Sequence, residues 1–245
     1  MQAPHPPLRD YYAEEAQRRG WVRQIFDRTA GDYDRIERLM SLGTGSKYRR
    51  RALRRAGLQP GMRVLDIGAG TGLTTRQAAS LVGASGHVTG VEPSVGMIQS
   101  AKVPGDVEMR LGSAEAIPAE ADSADFVCMG YALRHISDLS AAFREFWRVL
   151  KPGGRICLLE ITRPEGRVGR IVLRAYMRGV VPSLAWLFGQ TADSPTLMRY
   201  YWDTIDACAA PGEILAAIRG AGFIEDHRRV ELGIFSEYCA RKPGA

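Results

Sequence analysis

The sequence predicts an α/β fold: a doubly wound, mostly parallel seven-stranded sheet with N-terminal helices before it and a helical lid inserted late in the chain. From residue 62 onward, short apolar runs alternate with segments of helical character, as in a parallel sheet covered by helices on both faces. A glycine-rich turn follows the first run. The last two runs alternate apolar and polar residues around Gly233, which indicates an antiparallel pair that completes the sheet.

Composition places the chain among globular proteins and excludes several classes. The 245 residues, 45% of them hydrophobic and 24% charged, suffice for one domain with a full core. No apolar run approaches the ~20 residues that span a bilayer, and the first ten residues lack the apolar stretch of a secretory signal. The four cysteines stand far apart, so we expect reduced thiols and no metal site. A cytoplasmic protein is expected, either free or peripheral to the inner face of the membrane.

Residues 1–57 are predicted to form an N-terminal helical segment that packs on the main domain, residues 58–245. Leu53 and Ala56 recur at helical spacing, and Gly57 with Pro60 and Gly61 supplies a helix stop. The first five strands are predicted in the runs RVLDI, HVTGV, VEMRL, DFVCM and RICLLEI, with helices at 72–83, 94–102 and 138–150.

The lid is predicted at about residues 163–210, which break the alternation of strands and helices. This stretch is apolar, studded with arginine and rich in large aromatic residues: Tyr176, Trp186, Phe188, Tyr200, Tyr201 and Trp202. Its arginines contribute to a net charge of +6. A basic, apolar helix of this kind can rest on anionic lipid, and a lid that closes over a soluble substrate fits equally well.

The stretch VLDIGAGTG, residues 64–72, is typical of a loop that accommodates a cofactor. Glycines there permit positive φ and a close approach of the backbone, and the helix that begins at Leu73 offers free N–H groups. A nicotinamide fingerprint would need a glycine at Leu73, so that cofactor does not match the spacing. The candidate cofactor contacts are Asp66, Gly68, Gly70 and Gly72.

An acid ends the next predicted strand. Glu92 lies 20 residues beyond Gly72, where a carboxylate can accept hydrogen bonds from both hydroxyls of a ribose. The alternative is a glutamate beside a helix start with no ligand. Together the loop and the acid indicate a nucleoside-containing cofactor.

The spacing G-x-G-x-G with an acid two residues ahead resembles motif I of the class I S-adenosylmethionine-dependent methyltransferases. LGSAEAIP after the third strand and RVLKPGG at 148–154 add to the resemblance. It implies S-adenosyl-L-methionine as the cofactor, with Ser113 and Ala114 beside the adenine. Met97 would pack under the same ring, with packing in the core as an equal alternative.

A narrower resemblance covers residues 22–205. IFDRTAGDYDRIERLMSLG, residues 25–43, looks like the N-terminal signature of the ubiquinone/menaquinone biosynthesis C-methyltransferases. LEITRP at 159–164, MGYALRHISD at 129–138 and ADSPTLMRYYWDTI at 192–205 are similar to other parts of that family. The resemblance implies C-methylation of a phenolic or quinol-type small molecule, a lipophilic acceptor, and a homodimer.

Departures from the family keep other acceptors open. His135 replaces the family's asparagine, Tyr48 and Arg49 replace a tryptophan–lysine pair, and DACAAPGEI replaces a histidine–proline pair. A secondary-metabolite C- or O-methyltransferase on the same scaffold is therefore the main alternative. An enzyme acting on nucleic acid is disfavoured, because CMGYALRH lacks the N/D-P-P-aromatic motif and the chain shows no basic stripe with stacking aromatics. A binding module that has lost catalysis is a third class.

Three residues are the candidates for catalysis. Carbon methylation needs a phenolate, and thus a base or a cation near the hydroxyl. At the position of the family's arginine, Arg134 would stabilise the oxyanion or order a water, because an arginine is too strongly protonated to be an ordinary base. His135, with an ordinary pKa near ~6.5, could take the proton or could instead cap the turn before Asp138. The resemblance implies that Tyr33 closes over the cofactor; simple packing is the alternative.

Overall fold

The computed structural model describes residues 2–183 and 193–244 and contains the predicted sheet. Its strands are β1 (Arg63–Ile67), β2 (His87–Glu92), β3 (Glu108–Leu111), β4 (Ala124–Gly130), β5 (Leu150–Ile161), β6 (Ile224–Glu231) and β7 (Phe235–Arg241). They lie in the order β3-β2-β1-β4-β5-β7-β6. Neighbours from β3 to β5 are parallel, and β7 is antiparallel to both β5 and β6. The predicted fold class is confirmed.

The helices cover both faces of this sheet and extend beyond it. Their bounds are α1 (Glu15–Thr29), α2 (Tyr33–Met40), α3 (Gly45–Arg55), α4 (Leu73–Val82), α5 (Val95–Gln99), α6 (Leu139–Val149), α7 (Arg167–Ala175), α8 (Ser194–Ala207) and α9 (Pro211–Gly220). Short helical turns occur at Ala30–Asp32, Leu133–His135 and Tyr176–Val180. Within the described ranges, none of the helices has the length and apolar character that crossing a bilayer requires.

Helix α5 is shorter than the sequence predicts. Ser94 caps its start by accepting a hydrogen bond from the Met97 N–H, at 3.0 Å. The predicted helix continues to residue 102, but the Lys102 N–H turns to the Thr71 carbonyl, at 3.1 Å. Pro104 follows soon after and disfavours further helix. The chain therefore returns early to the glycine loop.

The N-terminal helices and the lid share one apolar cluster. It joins α1 and α2 to α7 and α8 through the buried residues Val22, Ile25, Ile36, Leu173, Met177, Leu197, Tyr200, Tyr201, Trp202 and Ile205. Helix α3 instead packs on the sheet through Tyr48, Ala52 and Leu53. Trp186 and Phe188, which the sequence predicts as lid aromatics, lie outside the described residues. The first helices thus connect the lid to the sheet.

Candidate active site

A cavity of about 330 Å³ lies at the carboxyl ends of β1, β2 and β4, where open α/β sheets bind ligands. We call it the inner cavity. Its wall brings together eight of the residues that the sequence predicts for the site: Tyr33, Gly68, Gly70, Glu92, Met97, Ser113, Ala114 and His135. These residues come from five separate parts of the chain. The parallel topology therefore assembles them.

The glycine loop forms the floor of the inner cavity. Gly68 and Gly70 have φ of +68° and +57°, in the left-handed region that favours glycine. The N–H groups of Gly68 and Ala69 both donate to the Val91 carbonyl, at 2.8 and 3.1 Å, which ties the loop to β2. A Cβ on Gly68 would lie 2.6 Å from the Cβ of Ala132 in the loop after β4. A side chain there would therefore push the two loops apart.

Two of the predicted cofactor residues stand behind this wall. Asp66 is fully buried in β1, where it accepts hydrogen bonds from the Thr75 hydroxyl at 2.6 Å and the Cys128 thiol at 3.5 Å. Burial raises the pKa of Asp66 to about 6. Gly72 is the N-cap of α4. Neither residue lines the inner cavity, so in this structure both support the glycine loop without facing the cavity.

Glu92 presents a buried carboxylate to the cavity. Its Oε2 accepts from the Gly70 N–H at 2.8 Å, and its Oε1 accepts from the Ser94 N–H at 2.9 Å. Burial raises the pKa of Glu92 to about 7, against the opposing effect of these two hydrogen bonds. The side chain links the glycine loop to the start of α5. It can also accept hydrogen bonds from a ligand.

The far wall is partly apolar. Met97 of α5 and Ala114 of the turn after β3 are both buried there, and Ser113 lies beside them. Glu115 closes this end, and its Oε1 accepts from the Ser137 N–H at 2.7 Å. Such a wall suits a flat, weakly polar ring.

Helix α1 covers the inner cavity, which the sequence did not predict. Val22 and Phe26, one helical turn apart, line the cavity from this side. Asp27 Oδ1 accepts from the Ser94 hydroxyl at 2.5 Å and from the Gly96 N–H at 2.9 Å, so the helix is held against α5. The i, i+4 spacing of Val22 and Phe26 is the only local signal of this role.

A second cavity of about 460 Å³ adjoins the first, and we call it the outer cavity. Tyr33 and Tyr131 line both cavities and so form their shared wall. The apolar part of the outer lining comes from α2, the end of β5, the lid and the β6–β7 hairpin: Ile36, Met40, Ile161, Leu173, Tyr176, Met177, Leu232, Ile234 and Phe235. Burial raises the pKa of Tyr33 and of Tyr131, so both phenols stay neutral.

Arg134 lines the outer cavity as one half of a buried ion pair. Its guanidinium pairs with the Glu160 carboxylate, while Nη1 also donates to the Tyr131 carbonyl at 2.9 Å. Its Nε donates to the Thr204 hydroxyl at 3.2 Å, and the group lies 5.1 Å from the centre of the Tyr201 ring. Burial opposes its charge, but the Glu160 carboxylate raises the pKa of Arg134 above its usual range. Arg134 is therefore a fixed cation.

Glu160 is a site residue that the sequence reasoning missed. It is fully buried at the end of β5, and its Oε2 accepts from the Arg134 N–H at 3.2 Å. Its signal was present in the stretch LEITRP, which carries a charged letter inside an otherwise apolar strand. An acid at such a position needs a buried partner.

His135 lines the inner cavity among aromatic rings. Its ring centre lies 5.3 Å from those of Phe26 and Tyr200, and Nδ1 is 3.3 Å from the Tyr200 hydroxyl. Burial and the nearby charge of Arg134 lower the pKa of His135 well below its ordinary value. It is thus neutral at neutral pH and a weaker base than the sequence suggests. The alternative cap role falls to Asp138, which accepts from the Ser140 N–H at 3.0 Å.

Comparisons with known proteins show which family and which relatives the sequence resembles. The sequence model of the ubiE/COQ5 methyltransferase family matches residues 12–242 of this chain. The chain is 29% identical to a demethylmenaquinone methyltransferase of Symbiobacterium thermophilum, over 91% of this chain and 92% of that one. It is 33% identical to a ubiquinone/menaquinone biosynthesis C-methyltransferase UbiE of Syntrophotalea carbinolica, over 91% and 95%.

Solved structures support the fold. A SAM-dependent methyltransferase from Aquifex aeolicus is similar with a TM-score of 0.60 and 20% identity, covering 85% of this chain and 97% of its own. A SAM-dependent methyltransferase from Thermotoga maritima has a TM-score of 0.63 and 22% identity, over 89% and 98%. At sequence identities this low, the similarity supports a shared fold only.

Proposed function

This chain belongs to the ubiE/COQ5 methyltransferase family, and from that premise we propose that it methylates a ring carbon of a phenolic or quinol-type acceptor. It is an S-adenosylmethionine-dependent methyltransferase. The observation that carries the choice of acceptor is the buried Arg134–Glu160 pair in an apolar cavity, directly beside the inner cavity. A fixed cation in such surroundings favours a phenolate.

The inner cavity fits S-adenosylmethionine. Gly68 and Gly70 bare the backbone for the methionine part, and the buried carboxylate of Glu92 is placed to accept from ribose hydroxyls. Met97 and Ala114 supply apolar surface for the adenine, with Ser113 beside them. The bound cofactor supplies a methyl group on a positively charged sulfur, which a nucleophile can attack in line.

In the outer cavity, the protein makes the acceptor a nucleophile. The acceptor hydroxyl gives up its proton to solvent on binding, and the permanent charge of Arg134 stabilises the resulting ring oxyanion, which raises the electron density at the neighbouring ring carbons. Tyr33 and Tyr131 keep the ring beside the inner cavity, and the apolar lining excludes water. Once the new carbon–carbon bond has formed, the ring carbon releases its hydrogen as a proton. Neutral His135 can accept that proton, although its low pKa makes it a brief carrier.

A second candidate is methylation of a soluble aromatic metabolite, on carbon or on oxygen. It is favoured by one observation: Tyr48 and Arg49, where the sequence departs from the family, both line the outer cavity. These two departures from the family therefore lie in the lining of the outer cavity, where the acceptor is proposed to bind.

A product analysis tests the two candidates. We expect the purified protein to convert a reduced, short-chain prenyl quinol to a product 14 mass units heavier, with the new methyl on carbon by NMR. The matched acceptor has the same ring without the prenyl chain. Methylation on oxygen alone, or of soluble phenols and never of quinols, would contradict the proposed acceptor.

We also propose contact with anionic lipid at the lid. On α7, Val168, Ile171 and Val172 are 75%, 66% and 62% exposed, and the same helix carries Arg167, Arg170 and Arg174. Leu232 of the β6–β7 hairpin, which lines the outer cavity, is 87% exposed. Apolar side chains beside basic ones at the rim of an apolar cavity suit a membrane surface from which a lipophilic acceptor would pass.

Charge substitution on α7 tests this contact. The double variant Ile171→Glu, Val172→Glu is expected to weaken binding to anionic vesicles, measured by cosedimentation, roughly 100-fold. Each aliphatic side chain that becomes buried in the lipid contributes ~1.5 kcal/mol to binding. Activity on a soluble phenol should be retained. Ile224→Glu, which alters a partly exposed residue at the other end of β6, is the matched control. Equal binding of all three proteins to vesicles would refute the contact. The homodimer remains a prediction, which light scattering tests.

A further inference from the structure

We propose that Arg49, with Ser41 beside it, holds a second oxygen atom of the acceptor, so that the enzyme selects rings oxygenated at two positions. The inference rests on the proposed function, since it takes the outer cavity as the place of the acceptor ring. Arg49 then determines specificity, while Arg134 acts on the oxygen next to the reacting carbon.

Arg49 belongs to a second buried ion pair in the outer cavity. Its side chain is 3% exposed, and Nη1 donates to the Glu37 carboxylate at 2.7 Å. Its guanidinium lies 4.9 Å from the centre of the Tyr131 ring. Arg134 contacts the same residue through the Tyr131 carbonyl. Two buried cations, one from α3 and one from the loop after β4, thus flank the wall between the cavities.

The hydrogen bonds of this cluster are incomplete. Within the described ranges, Arg49 Nε and Ser41 Oγ are buried without a partner, and both residues line the outer cavity. A guanidinium has five N–H donors, and buried donors are unfavourable until an acceptor meets them. An oxygen of a ligand would satisfy both groups after a small adjustment of the side chains.

The charges indicate which oxygen fits. Burial opposes the charge on Arg49, but the Glu37 carboxylate raises its pKa, so the cation persists. Arg49, like Arg134, is paired with a buried carboxylate, so its site can hold a neutral oxygen as well as an anionic one. A ring hydroxyl or carbonyl is the oxygen that matches a balanced, donor-rich cluster.

Gly45 shows that the ion pair is built into the start of α3. A Cβ at this position would overlap Glu37 Oε1, lie 2.6 Å from Arg49 Nη1 and lie 3.1 Å from Ser41 Oγ. All three atoms are on side chains that can move. Gly45→Ala would therefore displace the cluster without removing its charge.

The test compares 1,4-naphthohydroquinone with 1-naphthol, which lacks the second oxygen. Arg49→Met is expected to lower kcat/KM for the naphthohydroquinone about 10- to 100-fold, the range for one hydrogen bond to a charged group. The value for 1-naphthol should be little changed. Arg54→Met, an exposed arginine of the same helix, controls for charge and should preserve the preference.

Gly45→Ala provides a milder variant should Arg49→Met fail to fold. It is expected to reduce the preference for the dihydroxy ring in the same direction, with unchanged affinity for S-adenosylhomocysteine. Gly31→Ala is its control, since a Cβ at Gly31 meets open space. Equal losses on both acceptors would overturn the inference and make Arg49 a structural residue.

The failure of the proposed function would look different. If the wild-type protein methylates neither ring, the affinity for each of the two rings is measured by calorimetry, with S-adenosylhomocysteine present, in place of the turnover rate. A binding preference for the dihydroxy ring that Gly45→Ala removes would uphold the role of Arg49. The absence of any preference would overturn it.

Discussion

Arg134→Met is expected to lower kcat with a quinol acceptor by about 10²- to 10³-fold, the cost of removing one preorganised group that stabilises an oxyanion. Cofactor affinity should not change, because Arg134 lines the outer cavity and not the inner one. The direct readout is the ultraviolet spectrum of a bound phenol. The wild-type protein should hold it as a phenolate at a lower pH than the variant does.

Loss of Arg134 leaves the Glu160 carboxylate buried and unpaired, which by itself costs stability. The double variant Arg134→Met, Glu160→Met removes both charges and should restore folding without restoring turnover. Arg134→Lys keeps the charge, but an ammonium group cannot reproduce the hydrogen bonds to Tyr131 and Thr204. Its rate should therefore lie between that of the wild-type protein and that of Arg134→Met. His135→Gln measures the proton carrier separately and should cost less. Full turnover by Arg134→Met would exclude the proposed chemistry.

Glu92→Gln is expected to weaken binding of S-adenosylhomocysteine roughly 100-fold, because two hydrogen bonds to a charged acceptor lose about half of their strength. The wild-type affinity should also depend on pH. Burial raises the pKa of Glu92 to about 7, and the protonated carboxyl is the poorer acceptor. Affinity should therefore be highest above this pH and fall as the pH decreases through about 7.

Calorimetry across this pH range measures both effects. The Glu92→Gln protein should bind weakly with no change near pH 7. Glu108→Gln, an exposed acid on the adjacent strand β3, is the matched control, and its pKa is lowered by the hydrogen bond from Arg110. If the wild-type affinity does not vary with pH while Glu92→Gln binds normally, Glu92 is not a cofactor residue.

The lining of the inner cavity could be predicted because its signals are local. Gly68 and Gly70 come after β1 and Glu92 ends β2, two strands whose positions the apolar pattern gives, and parallel strands end at one edge of the sheet. The sheet itself was predictable for the same reason. Asp66 illustrates the limit: its place in the motif is clear, but only the structure shows that it bonds to Thr75 behind the loop.

The lining of the outer cavity depends on contacts between distant parts of the chain. Arg134 and Glu160 are 26 residues apart, and Arg49 meets Tyr131 across different elements. The low pKa of His135 arises from burial and from the charges of Arg134 and Arg18, which no local pattern reveals. Likewise α5 ends early because Lys102 reaches back to Thr71. In the sequence, such tertiary contacts show only as polar residues at positions where the pattern predicts apolar ones.

Helix α1 covers the inner cavity and is fastened to α5 through Asp27. We expect this cover to shield a bound nucleoside from bulk solvent while the acceptor is exchanged on the other side of Tyr33. We also expect α1 to move away from α5 when the spent nucleoside leaves, so that its release, rather than the methyl transfer itself, limits the rate of successive cycles.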